Sequence, residues 1–548
     1  MPSKVRARPG STPVLICGGG PVGLSAAVEL GLRGIHCVVV EPRREPTRTR
    51  PRAKTLNVRT MEHLRRWGLA DRLRDRAPLP TWWSQDVAFC TQLLGYEINR
   101  FTGVLGLTDV GVSPELGQQL PQYVLEDLLR EVVSELPTCT FLLGSTVTGL
   151  HNHSDRVEVQ VQNPDGAIQL FTADYVLGAD GARGVVREAI GARYEGTQAL
   201  RPNLGVVFCS RELAGKLPHP PAVQSWLLNN DTPGLMGPVD LSGTWWLIAF
   251  GVDGAAGVDL PRLVQGAIGG PVDIEIVSTD PWTARMELVD RCRPGRIFLI
   301  GDAAHLNPPF GGHGLNTGIG DAVDVAWKLA ACLEGWGGEA LLTSYERERR
   351  PLHQRVIEEA AINMATLSTE LLRGDLDDPG PAGTRARLAA AHQISLTKRV
   401  EYFSLDLVLG HRYLESPVIP GDSDGEHPNE DWTVTARPGR RLPHLWVSPG
   451  VSTLDLIGPG LTMLVIGETS PDQMSLDVEQ LGPPIALVHI ANAELSARLG
   501  AKVLIVRPDQ IVAWRGQSVP DDLPAVLNVI SGHSGDPHRP MRSSTSAR

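Results

Sequence analysis

The sequence predicts an α/β protein: a Rossmann-like doubly wound domain, an antiparallel sheet inserted into it, and a smaller C-terminal domain with its own βαβ-like segment. Three observations predict this. A glycine-rich turn, Gly18-x-Gly20-x-x-Gly23, lies between a short apolar strand and a run of apolar residues at helical spacing. From about Asn203 to Ser278 the pattern changes to short alternating or aromatic stretches between Gly/Pro turns. Beyond Pro420–Asp431, which carries five acidic residues with Gly and Pro, strand-length apolar runs resume. A chain of 548 residues also exceeds the size at which one core keeps growing.

The elements follow in order. Val14–Cys17 is a buried strand, Leu24–Leu32 a helix, and His36–Val40 a second strand closing the βαβ unit at Glu41. Leu56–Trp67 and Tyr123–Leu136 have helical period. Arg156–Val161 and Ile168–Phe171 form a hairpin around Asn163-Pro-Asp-Gly166. Val206–Phe208, Val223–Leu228, Thr244–Phe250 and Ile274–Val277 supply the antiparallel sheet. Arg296–Ile300 is another buried strand, leading through a loop to a long helix, Leu315–Leu333. Helices continue over Leu341–Met364 and Thr384–Leu396, with linkers at Gly374–Gly383 and Pro420–Asp431. Leu461–Ile466, Ile485–Ile490, Val503–Val506 and Ile511–Trp514 are the C-terminal strands, before a helix near Asp521–Ile530.

Composition excludes several function classes. A net charge of −11 lacks the basic stripe that phosphate backbones require, so nucleic acid is not an expected partner. No apolar run approaches the ~20 residues that span a bilayer, and the basic N-terminus has no apolar signal core, which reads as cytoplasmic. The seven cysteines show no C-x-x-C spacing; they read as isolated thiols, and no metal is expected.

Chemistry concentrates in three places. In the first turn Gly18 permits the tight bend, Gly20 lets a pyrophosphate approach the backbone, and Gly23 lets the helix pack on its strand. Pro21 and Val22 open that helix, whose N-terminal N–H groups face the phosphates. Glu41, with Arg43 beyond it, is placed to accept from ribose hydroxyls and to reject a 2′-phosphate. This turn alone does not separate FAD from NAD. Downstream, Gly178-Ala-Asp180-Gly181-Ala-Arg183 and Gly301-Asp302-Ala-Ala-His305 follow strands. An Asp at a strand's carboxyl end is where doubly wound sheets bind ligands, although it also suits a turn cap. In Pro308-Pro309-Phe310-Gly311-Gly312-His313-Gly314-Leu315-Asn316, the N–H groups of Gly314, Leu315 and Asn316 fall in a helix's first turn, suited to stabilising negative charge.

With Arg52-Ala53 before Leu56-Asn57-x-Arg59-Thr60, and Pro121-Gln122-x-x-Leu125-Glu126, these motifs resemble those of the class A flavoprotein monooxygenases, the aromatic hydroxylases that include p-hydroxybenzoate and phenol hydroxylases. The resemblance covers Pro13 to about Gly410 and extends to Gly516. It implies an FAD-binding domain over 12–195 and 286–400, and a substrate-binding domain over 80–110 and 196–285. It assigns Asp302 to a ribityl hydroxyl, and Arg52 and Gln122 to the ribose-phosphate stem; Val147 joins the FAD set. Asp180 is tied to FAD and the nicotinamide cofactor, with Gly184 where the family has Ser. Pro309 would line the oxygen-transfer site. His313 would relay a proton beside the flavin or serve as polar filler, and His305 would pack or bond to the backbone.

The resemblance further implies that NADPH or NADH, as a transient co-substrate, reduces FAD. O2 then adds to give a C4a-hydroperoxide, whose distal oxygen passes to an electron-rich ring. A phenolic, polycyclic substrate of secondary metabolism such as an antibiotic pathway is the leading expectation. Baeyer–Villiger insertion, oxidative rearrangement, and a non-oxygenating FAD dehydrogenase or flavin-binding protein are the alternatives. No catalytic base can be named. Trp226 and Arg285 are the pocket candidates, against a reading in which each Trp fills a β-layer. From Asp431, over 431–532, the chain resembles a thioredoxin-like domain without cysteine, which leaves it a packing or homodimer-supporting role.

Overall fold

The computed structural model describes residues 10–197, 201–254, 256–365, 371, 374–420, 431–467 and 482–533. Strand Ser11–Cys17 is flanked by parallel neighbours on both sides, Cys37–Glu41 and Ile168–Gly178. Covered on both faces, such strands read as continuous apolar runs rather than alternating ones, which is why they were legible. Cys139–Leu143 lies outside Cys37–Glu41, and Ile297–Leu299 pairs with the end of Ile168–Gly178. The first half of Ile168–Gly178 turns instead to an antiparallel ladder with Val157–Gln162 and Thr146–Asn152, the expected hairpin. Helices Pro21–Leu32 and His313–Leu333 pack against each other over this sheet.

Both helices begin earlier than their apolar period. Pro21 occupies the first helical position, where its missing N–H costs nothing and its fixed φ favours the turn. The long helix starts at His313, directly after the left-handed glycines Gly311 (φ 80°) and Gly312 (φ 68°).

The second sheet has seven strands in the order Glu275–Thr283, Pro202–Cys209, Thr244–Phe250, Gly234–Pro238, Gln224–Leu227, Val87–Cys90, Glu97–Phe101. It departs from the wholly antiparallel expectation at one place: Gln224–Leu227 runs parallel to Val87–Cys90. The reason is topological, since Val87–Phe101 reaches the sheet from an earlier excursion of the chain and no hairpin joins the two. The sheet sorts its side chains by alternation. Trp245, Leu247 and Ala249 pack with helix Leu260–Ile268 on one face. Trp226 and Phe250, with Phe89, pack on the other, against Phe310 of the turn that precedes the long helix.

In the C-terminal segment the strand order is Ile485–Ile490, Leu461–Ile466, Val503–Val506, Val512–Gly516, the first pair parallel and the others antiparallel. Helices Ala493–Leu499 and Leu523–Ile530 accompany it. The linker expected at Gly374–Gly383 is corrected: helix Pro381–Thr397 begins inside it, because Pro381 starts the helix and Gly383 sits where a Cβ would lie 1.9 Å from the Asp378 carbonyl oxygen. The linker at Pro420–Asp431 lies, save its two ends, outside the described residues. The thiols are not all isolated. Cys37 and Cys139 face each other across adjacent strands with their sulfurs 3.5 Å apart, a pairing that spacing along the chain could not reveal.

Candidate active site

Three distant motifs meet around Val22. Gly18 has φ +105°, and a Cβ there would stand 2.4 Å from the carbonyl oxygen of Ala179. A Cβ at Gly23 would stand 2.0 Å from the Gly18 carbonyl oxygen, and one at Gly318 would meet both Val22 (2.7 Å) and the Gly301 Cα (3.0 Å). Only glycine allows these backbones so close. At the meeting point, helix Pro21–Leu32 has Gly20 as N-cap with no side-chain cap, and a Cβ on Gly20 would meet nothing within 4 Å. Helix His313–Leu333 is likewise uncapped by any side chain. The N-terminus of helix Pro21–Leu32 therefore faces open space at the carboxyl ends of parallel strands, and the long helix that packs on Val22 and Gly301 also begins without a side-chain cap. That arrangement fits the phosphates and the electron-rich ring edge of a flavin dinucleotide.

The polar residues sit around it. Asp302 is set deep among protein atoms, yet its side chain is open to solvent, as expected at the floor of a cleft. Burial raises its pKa, with His305 and Arg52 pulling the other way. Arg52 is exposed and held in the left-handed region at φ 49°. Glu41 is 3% exposed; one carboxylate oxygen accepts from the Gly19 N–H (2.8 Å), the other from the Arg43 backbone N–H (3.0 Å) and Nε (2.8 Å). Gln122 donates to Glu126 at 2.7 Å, and Val147 is buried in its strand. Asp180 accepts from the Val186 N–H (3.0 Å), and burial raises its pKa. A Cβ at Gly184 would lie 2.1 Å from the Asp180 carboxylate, so serine there would require Asp180 to move.

Before the long helix, Pro309 is exposed and Phe310 buried. The Gly311 N–H is accepted by the buried carboxylate of Glu401, which burial raises in pKa. The Asn316 side chain is a tether: its oxygen accepts from the Asn57 N–H (2.9 Å) and Thr60 hydroxyl (2.7 Å), and its amide donates to the Thr55 carbonyl (2.9 Å). Gly314 and Leu315 are partly exposed. His313 turns the other way. Its ring lines a cavity of about 90 Å³ behind the helix with Asn316, Thr317, Gly320, Arg349, His411 and Tyr413, and burial lowers its pKa to about 4.

His305 is buried and packed, one of the two roles expected of it, but its partner is a side chain rather than the backbone. Its ring bonds to the Asp321 carboxylate (3.1 Å), which also accepts from the Gly301 N–H (3.1 Å), His353 (2.7 Å) and Arg349 Nε (2.8 Å). An acid in a largely apolar helix gave no sign that it would gather four donors from two separate stretches. Of the pocket candidates, Trp226 is 1% exposed and stacked between Phe89 (6.1 Å) and Phe310 (5.8 Å), its N–H donated to the Tyr402 hydroxyl. Arg285 is exposed, 3.8 Å from Glu287. Two cations escaped the sequence reading. Lys54 lies 3.7 Å from the ring centre of Trp246, and Arg201 lies 4.5 Å from that of Phe250. The one available signal for Lys54 was its place directly after Arg52-Ala53.

A doubly wound sheet whose strand ends carry two helix termini without side-chain caps and a carboxylate defines a dinucleotide-binding protein. Comparison with known proteins specifies which. A model of the FAD binding domain matches residues 11–360, and a model of the aromatic-ring hydroxylase C-terminal region matches residues 435–534. The chain is 31% identical to a tetracenomycin B2 monooxygenase-dioxygenase of Streptomyces olivaceus, over 94% of this chain and 97% of that one. It resembles the solved structure of the rebeccamycin biosynthetic enzyme RebC with reduced flavin (TM-score 0.87, 33% identity, 96% and 99% of the two chains). It also resembles aklavinone-11 hydroxylase with FAD and aklavinone (TM-score 0.80, 29% identity, 95% and 98%). The chain belongs to the FAD-binding aromatic-ring hydroxylase family and is an FAD-dependent monooxygenase. The non-oxygenating alternative is thereby set aside.

Proposed function

We propose that this protein uses NADPH or NADH and O2 to hydroxylate an aromatic, polycyclic substrate of secondary metabolism. The observation that carries the reading is the aromatic face of the second sheet, Phe89, Trp226 and Phe250, closing over Phe310 beside the open tip of the long helix. Relatives whose names specify tetracenomycin B2 and aklavinone support the polycyclic class.

FAD, when bound, supplies the two-electron reduction and oxygen activation that side chains cannot. Gly18, Gly20, Pro21, Val22 and Gly23 would hold its pyrophosphate, Glu41 a ribose, Asp302 a ribityl hydroxyl, with Arg43, Arg52, Gln122, Val147 and Asp180 completing the set. The N–H groups of Gly314 and Leu315 would stabilise negative charge at the ring edge, a task for fixed donors in a dry site. Pro309, with the partly exposed Phe250 backed by the buried rings, would orient the substrate and exclude water. For the C-terminal segment we infer a thioredoxin-like fold, supported by its strand order and directions; without cysteine it has no disulfide chemistry and serves packing.

The test is NAD(P)H and O2 consumption by the FAD-loaded enzyme with a panel of polycyclic phenols. One atom of ¹⁸O from ¹⁸O2 should enter a ring hydroxyl. Incorporation into a lactone would favour ring-ketone insertion, and no incorporation would reject both.

A further inference from the structure

The turn Pro309–Gly312, which brings the long helix to the cleft, is flanked by two cations that pair with no acid among the described residues. On one side Thr55 packs against Gly312, where a Cβ would stand 3.2 Å from that of Thr55, and the preceding residue is Lys54. On the other side Phe310 packs edge-on against Phe250 at 6.3 Å, and Arg201 lies over Phe250. Trp246 and Phe250, the rings beneath the two cations, are four residues apart on one strand and so share a face, roughly 13 Å apart. Ile248 lies between them, partly exposed, and forms an apolar floor. Among the described residues Lys54 donates only to the Arg52 carbonyl, at a long 3.4 Å.

Both cations lose hydration without gaining a carboxylate among the described residues. Burial alone lowers the pKa of Lys54, to about 8, and burial alone lowers that of Arg201. Other shielded cations of this chain are closely paired, as Lys328 with Asp324 and Glu348 at 2.7 Å and Arg100 with Glu97 at 2.6 Å. A desolvated cation on an aromatic face recovers part of the lost hydration from the ring quadrupole, and the rest awaits an anion.

We propose that Lys54 and Arg201 form an anion-receiving rim on the substrate cleft, selecting a planar polycyclic ring system that carries a carboxylate or phenolate. The inference rests on the hydroxylase reading and sharpens its substrate class. An anionic oxygen held at either end of the Trp246–Phe250 face would fix which ring edge reaches the Pro309 turn, so the rim acts on orientation as well as affinity. Lys54 and Arg201 are positioning residues here.

The test uses FAD-loaded enzyme at pH 7 and two probes of nearly equal shape, 1-hydroxy-2-naphthoate and its methyl ester, titrated through the flavin absorbance change. The acid is expected to bind about tenfold tighter than the ester, from one charge-assisted hydrogen bond. In Lys54→Met and Arg201→Met that preference should shrink toward unity in at least one variant, with FAD content and the ester Kd retained. A flavin-loaded protein that binds acid and ester alike, or neither, overturns the inference while leaving the hydroxylase reading intact. So does a variant that keeps the acid preference and raises only the KM for NADPH, for then the cations serve the dinucleotide. A protein that cannot be loaded with FAD would instead overturn the function itself.

Discussion

Asp302 and Glu29 are both acids set among protein atoms, and their surroundings give them opposite tasks. Asp302 faces a cleft and its side chain accepts from no donor among the described residues, which leaves its lone pairs for a ligand. Asp302→Ala should lower FAD affinity at least about tenfold, the cost of one hydrogen bond to a charged acceptor. The measurement is the 450 nm to 280 nm absorbance ratio of purified protein; an unchanged ratio would reject the assignment. Glu29 is 1% exposed and fully partnered by Arg33 (2.7 Å), Arg66 (2.6 Å) and the Trp67 N–H (2.7 Å). Against the opposing effect of burial, these partners hold its pKa down to about 2. Its folded pKa lies below the unfolded value, so its contribution is complete above about pH 4.5 and disappears as pH falls toward 2. The contribution is about 3 kcal/mol. Glu29→Gln should therefore destabilise at pH 7 and flatten the acid limb of a urea-denaturation series; an unchanged limb would count against the ion pairs.

At the scale of elements, the long helix His313–Leu333 carries different jobs on different faces, and residue spacing alone could not assign them. Gly318 touches Val22 and Gly301, where the glycine turn and the Asp302 strand converge. His313, five residues earlier, lines the rear cavity, so its mutation should leave flavin reduction largely untouched. Gly318→Val, by contrast, should drive the helix off the Val22–Gly301 contact. The expected cost is about 1–3 kcal/mol of overpacking, with loss of FAD, read as a lower Tm and a colourless preparation. His313→Ala serves as the matched control, with rapid-mixing flavin reduction as its readout. A Gly318→Val protein that stays yellow would show that the two motifs need not touch.

For the molecule as a whole, the C-terminal segment is joined to the nucleotide-binding part by buried charge rather than by an apolar seam alone. Arg507, 0% exposed, reaches Glu348 at 2.6 and 2.9 Å and Asp509 at 2.5 Å, while Lys328 joins Glu348 and Asp324. Three carboxylates thus share these two cations. Burial pushes Asp324 up to about 7, whereas Arg507 and Lys328 keep Glu348 ionised. Arg441 clamps Glu62 in the same way, and Arg59 reaches Gln510 at 2.7 Å. Arg507→Met leaves Glu348 and Asp509 under-paired in a dry interface and should cost about 3–5 kcal/mol. Urea unfolding followed by far-UV circular dichroism checks it; a loss below 1 kcal/mol would mean that the segment is held by packing.

Much of this organisation was legible along the chain because its causes are local. The turn at Gly18–Gly23 needs glycines at fixed offsets, parallel strands buried on both faces need unbroken apolar runs, and helices need their period. These determined the doubly wound sheet, the inserted sheet and the dinucleotide-binding motifs. What stayed hidden depends on partners far away in sequence. The parallel pairing of Gln224–Leu227 with Val87–Cys90, the four donors gathered on Asp321, the thiol pair Cys37–Cys139 and the rearward aim of His313 were decided only when the chain closed on itself. Lys54 and Arg201 make the same point: a residue's type states that it can bear charge, but only its tertiary neighbours decide whether an acid neutralises that charge or leaves it for a ligand.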